Sequence, residues 1–397
     1  MKIIQYCQHV LGIGHLFRSL EISRALSDHE VILVSGGPPV ETNLPRHVTE
    51  FRLPELQMNR EFKGLHSTER PDGIDQVKEE RQKRLFALLA AEKPDVFLIE
   101  LYPFGRKAFR FELDPVLQAV EDRRLACGSV VCSVRDILVE KEDRDKHELR
   151  AVKTLNRYFN AVLVHADPQL VKISETFDHF NQIAIPVDYT GYIAPKPAAD
   201  AGKMIRQQLK IGEEENLIIA SAGGGNVGAP ILAAAVRAFS RLAEKNRCHL
   251  KVFAGPFLDQ SEFDRLKQYA GNNVQVSRFA RDFLSYLAAA DLSVSMGGYN
   301  TTMNILASGA PALVWPFGQN REQRLRAGRL ASLGVLRVLE NEDLDPDRLA
   351  AIMDDWMSRS TRPAVNINLN GATNTARWIE NRIKGQTLRD KGTKNGR

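Results

Sequence analysis

Ser295-Met296-Gly297-Gly298-Tyr299-Asn300-Thr301-Thr302-Met303-Asn304-Ile305-Leu306-Ala307-Ser308-Gly309-Ala310-Pro311-Ala312-Leu313-Val314-Trp315-Pro316 reads as a strand, a Gly-Gly turn, a helix opened by Asn and two Thr, a glycine stop and a second strand. The hydroxyls and N–H groups at such a helix start suit phosphate. The second strand runs into Pro316-Phe317-Gly318-Gln319-Asn320-Arg321-Glu322-Gln323-Arg324, a polar loop at the same sheet edge. Strand, turn, helix and strand in this order make the unit of a parallel α/β sheet.

The same alternation extends outward over nearly the whole chain. Short β-branched runs occur at Val31–Ser35, Val96–Glu100, Gly128–Val134, Ala161–His165 and Ile183–Val187, then at Leu217–Ala222, Leu250–Gly255, Val274–Phe279, Leu292–Gly297 and Val335–Leu339. Between them apolar residues recur at helical spacing, as in Leu16 with Leu20 and Ile22 with Leu26. About a dozen strands exceed one comfortable sheet, so two sheets are expected. Tyr189-Thr190-Gly191-Tyr192-Ile193-Ala194-Pro195-Lys196-Pro197-Ala198 is the linker between them. The expected organisation is a first domain over 1–190 and a second over 200–370. A terminal helix over 371–385 and a disordered basic tail over 386–397 follow. The fold class is α/β, with two Rossmann-like doubly wound domains facing each other across a cleft. Ligands of such sheets bind beyond the carboxyl ends of the strands.

Composition narrows the function. The 397 residues are 43% hydrophobic and 26% charged, with a net charge of +5, which fits a folded soluble chain. No apolar run approaches the roughly 20 residues of a membrane span. Cys7, Cys127, Cys132 and Cys248 form no CxxC pair, so neither a zinc ribbon nor a disulfide framework is indicated. Reduced thiols point to the cytoplasm. Five of the basic residues and one acidic residue lie in Lys384–Arg397, a solvated tail or a peripheral contact for anionic headgroups. No basic and aromatic motif of a nucleic-acid reader occurs.

Three glycine-rich turns carry the candidate chemistry. The first is Gly12-Ile13-Gly14-His15-Leu16-Phe17-Arg18. Phe17 replaces the third glycine of a dinucleotide fingerprint, and the next strand ends Val34-Ser35-Gly36-Gly37 with no acid for a ribose. His15 at the mouth of a sheet suits a general base, or else a packing residue of a helix start. The second turn, Gly223-Gly224-Gly225-Asn226-Val227-Gly228, lacks the Lys-Ser/Thr of a Walker loop, yet its N–H groups can cradle phosphate. The third is Gly297-Gly298. Glu100 and Asp136 each end a strand and are candidate orienters of His15 or second bases; surface ion pairs with Arg106 or Arg135 are the alternative. The charged segment Arg60–Arg84 reads as a loop turning helical near Asp75, a candidate acceptor lid. Asp354-Asp355 falls on a helical pattern and reads as a solvated face rather than a metal motif.

In their order and spacing these turns resemble the GT-B glycosyltransferases, in the branch of the peptidoglycan N-acetylglucosaminyltransferase and its uncharacterised relatives. The resemblance implies a metal-independent, inverting transferase that uses a nucleotide-diphosphate sugar, UDP-sugar foremost, a hydroxyl acceptor and no cofactor. It implies that Gly14 and His15 lie close to acceptor and donor. Gly223, Gly224, Gly225 and Asn226 would face the diphosphate, and Phe279 the base. Gly297, Gly298, Asn300 and Thr301 would cradle the diphosphate, and Glu322 and Gln323 would hold the donor sugar. The family usually has a glutamate for the ribose where this chain has Asn304, which hydrogen-bonds without a charge. A nucleotide-sugar hydrolase, which shares a Gly-x-Gly-His-x-x-Arg turn, and a non-catalytic nucleotide-sugar-binding protein are the rivals.

Overall fold

A computed structural model of the chain describes all residues except 10–13, 59–63, 68–72, 139–142, 226, 245–246, 319, 360–365 and 395–397. It divides into two units, Met1–Ile193 with Asn370–Arg397, and Ala194–Leu369.

The first unit opens with β1 (Lys2–Tyr6), α1 (Gly14–Ala25), β2 (Glu30–Ser35) and β3 (Val48–Arg52), followed by a small hairpin of β4 (Gln57–Met58) and β5 (Leu65–His66). It continues through α2 (Ile74–Glu92), β6 (Val96–Glu100), α3 (Arg110–Glu121), β7 (Ser129–Arg135), α4 (Arg144–Tyr158), β8 (Ala161–His165) and β9 (Val187–Tyr189). Seven of these strands form one sheet in the order β3-β2-β1-β6-β7-β8-β9, every pair parallel. Strands buried on both faces lose polar alternation, and all five residues of Val96–Glu100 are buried. Leu16 and Leu20 of α1 pack on Ile3, Leu33 and Leu98 of the sheet.

The second unit contains α5 (Ala201–Leu209), β10 (Asn216–Ser221), α6 (Ala229–Ala243), β11 (Cys248–Phe253), α7 (Gln260–Lys267), β12 (Val274–Ser277) and α8 (Phe283–Ala289). Then come β13 (Leu292–Met296), α9 (Tyr299–Ser308), β14 (Ala312–Trp315), α10 (Arg321–Ser332), β15 (Arg337–Val338) and α11 (Pro346–Met357). Its six-stranded sheet has the order β12-β11-β10-β13-β14-β15, again all parallel. Each sheet reverses its winding once, between β1 and β6 in the first and between β10 and β13 in the second. These switch points are where open α/β sheets take ligands.

The last helix, α12 (Gly371–Lys394), belongs to the first unit. Ala376 and Ile379 join the core under α1. Trp378 Nε1 donates to Asp188 Oδ2 at 2.8 Å, and Asn374 Nδ2 donates to the Thr190 carbonyl at 2.8 Å.

Three expectations differ from this. The helix continues to Lys394, through most of the stretch expected to be disordered, because no proline stops it after residue 371. The strand expected at Ile183–Val187 begins at Val187, after a 3₁₀ turn at Phe180–Gln182; Pro186 has no N–H for a ladder, and only its carbonyl pairs, with Val162 N at 2.9 Å. The strand Val48–Arg52 was not anticipated, since Val-Thr-Glu-Phe-Arg is half-exposed on a sheet edge. Part of the supposed lid, residues 60–63 and 68–72, lies outside the described residues; its helix starts at Ile74.

Candidate active site

At the first switch point, β1 leads into α1 and places His15 on its first turn, while β6, hydrogen-bonded beside β1, ends at Glu100. His15 Nδ1 lies 2.7 Å from Glu100 Oε1. Buried Arg18, one helical turn beyond His15, also donates to Glu100 Oε1. Arg106 Nε stands 4.0 Å from Glu100 Oε2. Burial alone would raise the Glu100 carboxyl, but His15, Arg18 and Arg106 hold it below the usual carboxylate range. Burial pushes the His15 imidazole down to about 3; Glu100 opposes that shift, and Arg106 and Arg18 add to it. The helix start behind His15 also disfavours a cation. His15 Nδ1 also lies 3.1 Å from Arg18 Nη2, which can only donate; the shorter contact is with Glu100, and a carboxylate accepts only, so we assign the neutral ring its proton on Nδ1 and its lone pair on Nε2. The His15 side chain is 21% exposed and Glu100 only 2%. The arrangement is a carboxylate-oriented imidazole base.

Two strands further along the same edge lies a second imidazole. His165 at the end of β8 receives Ser133 Oγ at 2.7 Å from Nε2 and has Thr190 Oγ1 at 2.8 Å from Nδ1. Burial and Arg18 push it down to about 3. Burial lowers His9 as well, against the pull of the Pro38 carbonyl. These shifts fix a sign. The unfolded chain protonates its histidines near pH 6.5, whereas these three stay neutral in the fold. Below that pH the unfolded state binds more protons, so stability falls as pH drops and levels off above. The urea midpoint is therefore expected to fall steadily between pH 7 and pH 5. A midpoint that holds or rises over that range would contradict the neutral assignments.

At the second switch point Ser221 of β10 and Ser295 of β13 lie side by side. The turn 222–225 after β10 rests on the turn 254–258 after β11. Gly225 adopts φ +93, and a Cβ there would fall 2.7 Å from the Ala254 carbonyl oxygen and 2.8 Å from Leu258 N. Gly224 O accepts from Phe257 N at 3.0 Å. The turn also abuts α9, since a Cβ on Gly223 would lie 3.6 Å from Thr301 Oγ1. Gly298 caps α9 in an extended conformation, and Thr302 Oγ1 donates to its carbonyl at 2.9 Å. Gly297 faces α10, where its Cβ would come 3.3 Å from Gln323 Cβ. The Gln323 amide oxygen accepts from Phe317 N at 3.1 Å. Glu322 and Arg326 are buried there, with Arg326 Nη1 on the Gly297 carbonyl at 3.4 Å. A glycine turn and a helix start thus lie side by side at one sheet edge, an arrangement that suits an anion; within the turn Gly225 N donates to the Ala222 carbonyl at 3.1 Å.

The remaining candidates place as follows. Asp136 is fully buried just past β7, one strand beyond β6; the carboxylate that meets His15 is Glu100. Gly14 is the first residue of α1, while Gly12 and Asn226 lie outside the described residues. Phe279 is exposed just past the edge strand β12. Asn300 and Asn304 lie on α9. Asp354 and Asp355 are exposed on α11. Among the described residues no group of three His, Cys, Asp or Glu side chains is placed to hold a metal ion, and no helix is long and apolar enough to cross a membrane. Sequence reading missed His165, the buried Nε of Arg106, and Gly255, whose φ of +86 and lack of a Cβ let it pack on the Gly223 carbonyl.

Residues 220–383 match the model of the Glycosyltransferase family 28 C-terminal domain. Among curated proteins it is 28% identical over 172 residues to the UDP-N-acetylglucosamine--N-acetylmuramyl-(pentapeptide) pyrophosphoryl-undecaprenol N-acetylglucosamine transferase of Sinorhizobium fredii, covering 41% of this chain and 45% of that one. It is 27% identical over 143 residues to an uncharacterized glycosyltransferase of Methanosarcina mazei, covering 35% and 36%. The matched stretches thus span under half of these relatives. Among solved structures, the glycotransferase of kitacinnamycin aligns over 98% of both chains with a TM-score of 0.57 and 19% identity. MurG of Acinetobacter baumannii aligns over 97% of this chain and 99% of that one, with a TM-score of 0.53 and 14% identity. The fold is GT-B, built from two Rossmann-like domains. The matched residues include both glycine turns of the second switch point.

Proposed function

We propose that the protein transfers a sugar from a nucleoside-diphosphate sugar, with UDP as the nucleotide, to a hydroxyl acceptor, with inversion and without a metal. The observation that carries the reading is the adjacency of the Gly223–Gly225 turn and the α9 start within the residues that match the family 28 domain. Backbone N–H groups of the turn and of the helix start would there meet the negative charge that a departing diphosphate gains. Glu322 and Gln323, held against Gly297, are the proposed contacts of the sugar, and Phe279 that of the base. Asn304 takes the ribose through neutral hydrogen bonds.

The reaction is a single displacement. The acceptor oxygen forms a bond to the anomeric carbon as its proton passes to His15 Nε2. The anomeric carbon–oxygen bond to the diphosphate breaks, and its electron pair leaves on the diphosphate. Glu100 keeps the imidazole in the tautomer that accepts and stabilises the imidazolium that forms.

Calorimetry with UDP tests the donor half. The full chain is expected to bind UDP, and Gly225→Ala, which drives a methyl into the Ala254 carbonyl, is expected to weaken binding by about tenfold or more. Undiminished UDP affinity in a folded Gly225→Ala protein would move the diphosphate elsewhere.

A further inference from the structure

We propose that Arg106 is an anion-binding residue that holds a phosphate or carboxylate group of the acceptor; the word acceptor rests on the proposed transfer reaction. The starting point is the backbone after β6. Leu101 and Arg106 both adopt left-handed φ, +66 and +55, although neither is glycine. The intervening turn is pinned on all sides. Leu101 N donates to the Ser133 carbonyl at 2.7 Å and Gly105 N to the Leu101 carbonyl at 2.8 Å. His147 Nε2 pairs with the Phe104 carbonyl at 3.0 Å, and the Phe104 ring meets Phe177 edge-on at 5.1 Å. The turn therefore folds Arg106 back over the end of its own strand, and such over-determined backbone is concentrated at ligand sites.

What Arg106 finds there is incomplete. Its side chain is 12% exposed. Its Nε is buried and, among the described residues, has no hydrogen-bond partner, and the facing Glu100 Oε2 has none either. The 4.0 Å between them is too long for a hydrogen bond. Glu100 Oε1 is already taken by His15 and Arg18. One carboxylate thus faces two guanidinium groups, and the second is left without an acceptor. The contrast with Arg81 is direct. That residue is fully buried, yet it donates to both oxygens of Glu112, to Gln8 Oε1 and to the Pro54 carbonyl. Arg81 is satisfied at each guanidinium nitrogen, whereas Arg106 Nε is not.

The chemistry of the missing partner follows. A planar guanidinium offers paired donors that match carboxylate and phosphate oxygens. A neutral hydroxyl would take one hydrogen bond and leave the charge uncompensated in a desolvated place. The nearby imidazoles add no positive charge, because His9 and His15 are both held neutral, with Arg106 contributing to each shift. An anionic group next to the His15–Glu100 pair would fix an acceptor with its attacking hydroxyl at Nε2.

The test uses the full chain with no donor and no nucleotide. The ring signal of His15 is followed by NMR at pH 7 during titration with inorganic phosphate and, separately, with acetate. The wild type is expected to respond to one of them, and Arg106→Gln to bind it about tenfold or more weakly, at an unchanged melting temperature. Arg106→Lys, which keeps the charge and loses the fork, is expected to show an intermediate Kd, and it carries the comparison should Arg106→Gln melt early. A response to phosphate assigns a phosphorylated acceptor, and a response to acetate a carboxylated one. No response from the wild type to either anion, or equal affinity in wild type and both variants, overturns the proposal. Because turnover is not read, a protein that binds the anion but transfers no sugar would refute the proposed reaction alone.

Discussion

His15→Ala is expected to lower kcat by about 10²- to 10⁴-fold, the usual contribution of a positioned base. Three features of the site set the size. The imidazole is neutral at pH 7, its Nδ1 proton is engaged by Glu100 at 2.7 Å, and so its Nε2 lone pair is available without rotation or deprotonation. Alanine removes the proton acceptor and leaves the proposed donor cradle untouched, since the residues of that cradle belong to the second unit. The expected pattern is therefore a fall in kcat with little change in UDP affinity. Steady-state kinetics together with calorimetry check it. Lost UDP affinity with intact turnover would make His15 a binding residue. Full activity would transfer the base role to another group, Asp136 first.

The proposed reaction gives Glu100 a double role, and its variants separate the two. Glu100→Ala removes the carboxylate that pairs with Arg18 and faces Arg106, leaving two guanidinium groups in a desolvated place. Breaking a buried pair in this way costs about 3–5 kcal/mol, so a large loss of thermal stability is expected along with activity. Glu100→Gln keeps the shape and an oxygen for the Nδ1 proton but loses the charge. It is expected to fold and to lower kcat by about 10²-fold or more, because the imidazolium formed in the transition state is no longer compensated. Melting curves and kcat for the two variants check this together. A Glu100→Gln enzyme with wild-type kcat would reduce Glu100 to a structural counter-ion.

Glu100 was legible in the sequence because it closes a short apolar run, and His15 because it follows a Gly-x-Gly turn at a helix start. Their partnership was not. It depends on β6 lying beside β1, a fact of sheet order that no local pattern encodes, and Glu100 and Asp136 therefore stood as equals until the sheet separated them by one strand. Arg106 was visible only as a possible surface ion-pair partner; its burial comes from the turn 101–106, whose left-handed residues carry no glycine to announce them. His165 sits in an unbroken Ala-Val-Leu-Val-His strand that looks like core and is core. The glycines at 223–225 were readable as a phosphate turn, yet the reason for Gly225 lies thirty residues on, in the backbone of 254–258 that it must clear. The terminal helix was readable from its first turns, whereas its far end ran on through charged residues that composition assigned to a tail.

The measurement that bears most directly on the central claim is the release of UDP from a UDP-sugar by wild type and His15→Ala, with and without an acceptor extract. A transferase with His15 as base releases UDP only when acceptor is present, and the variant slows that release by at least about 10²-fold. Release at the same rate without acceptor would make the protein a hydrolase, and the absence of release from every UDP-sugar tried with acceptor present would contradict the transfer reaction itself.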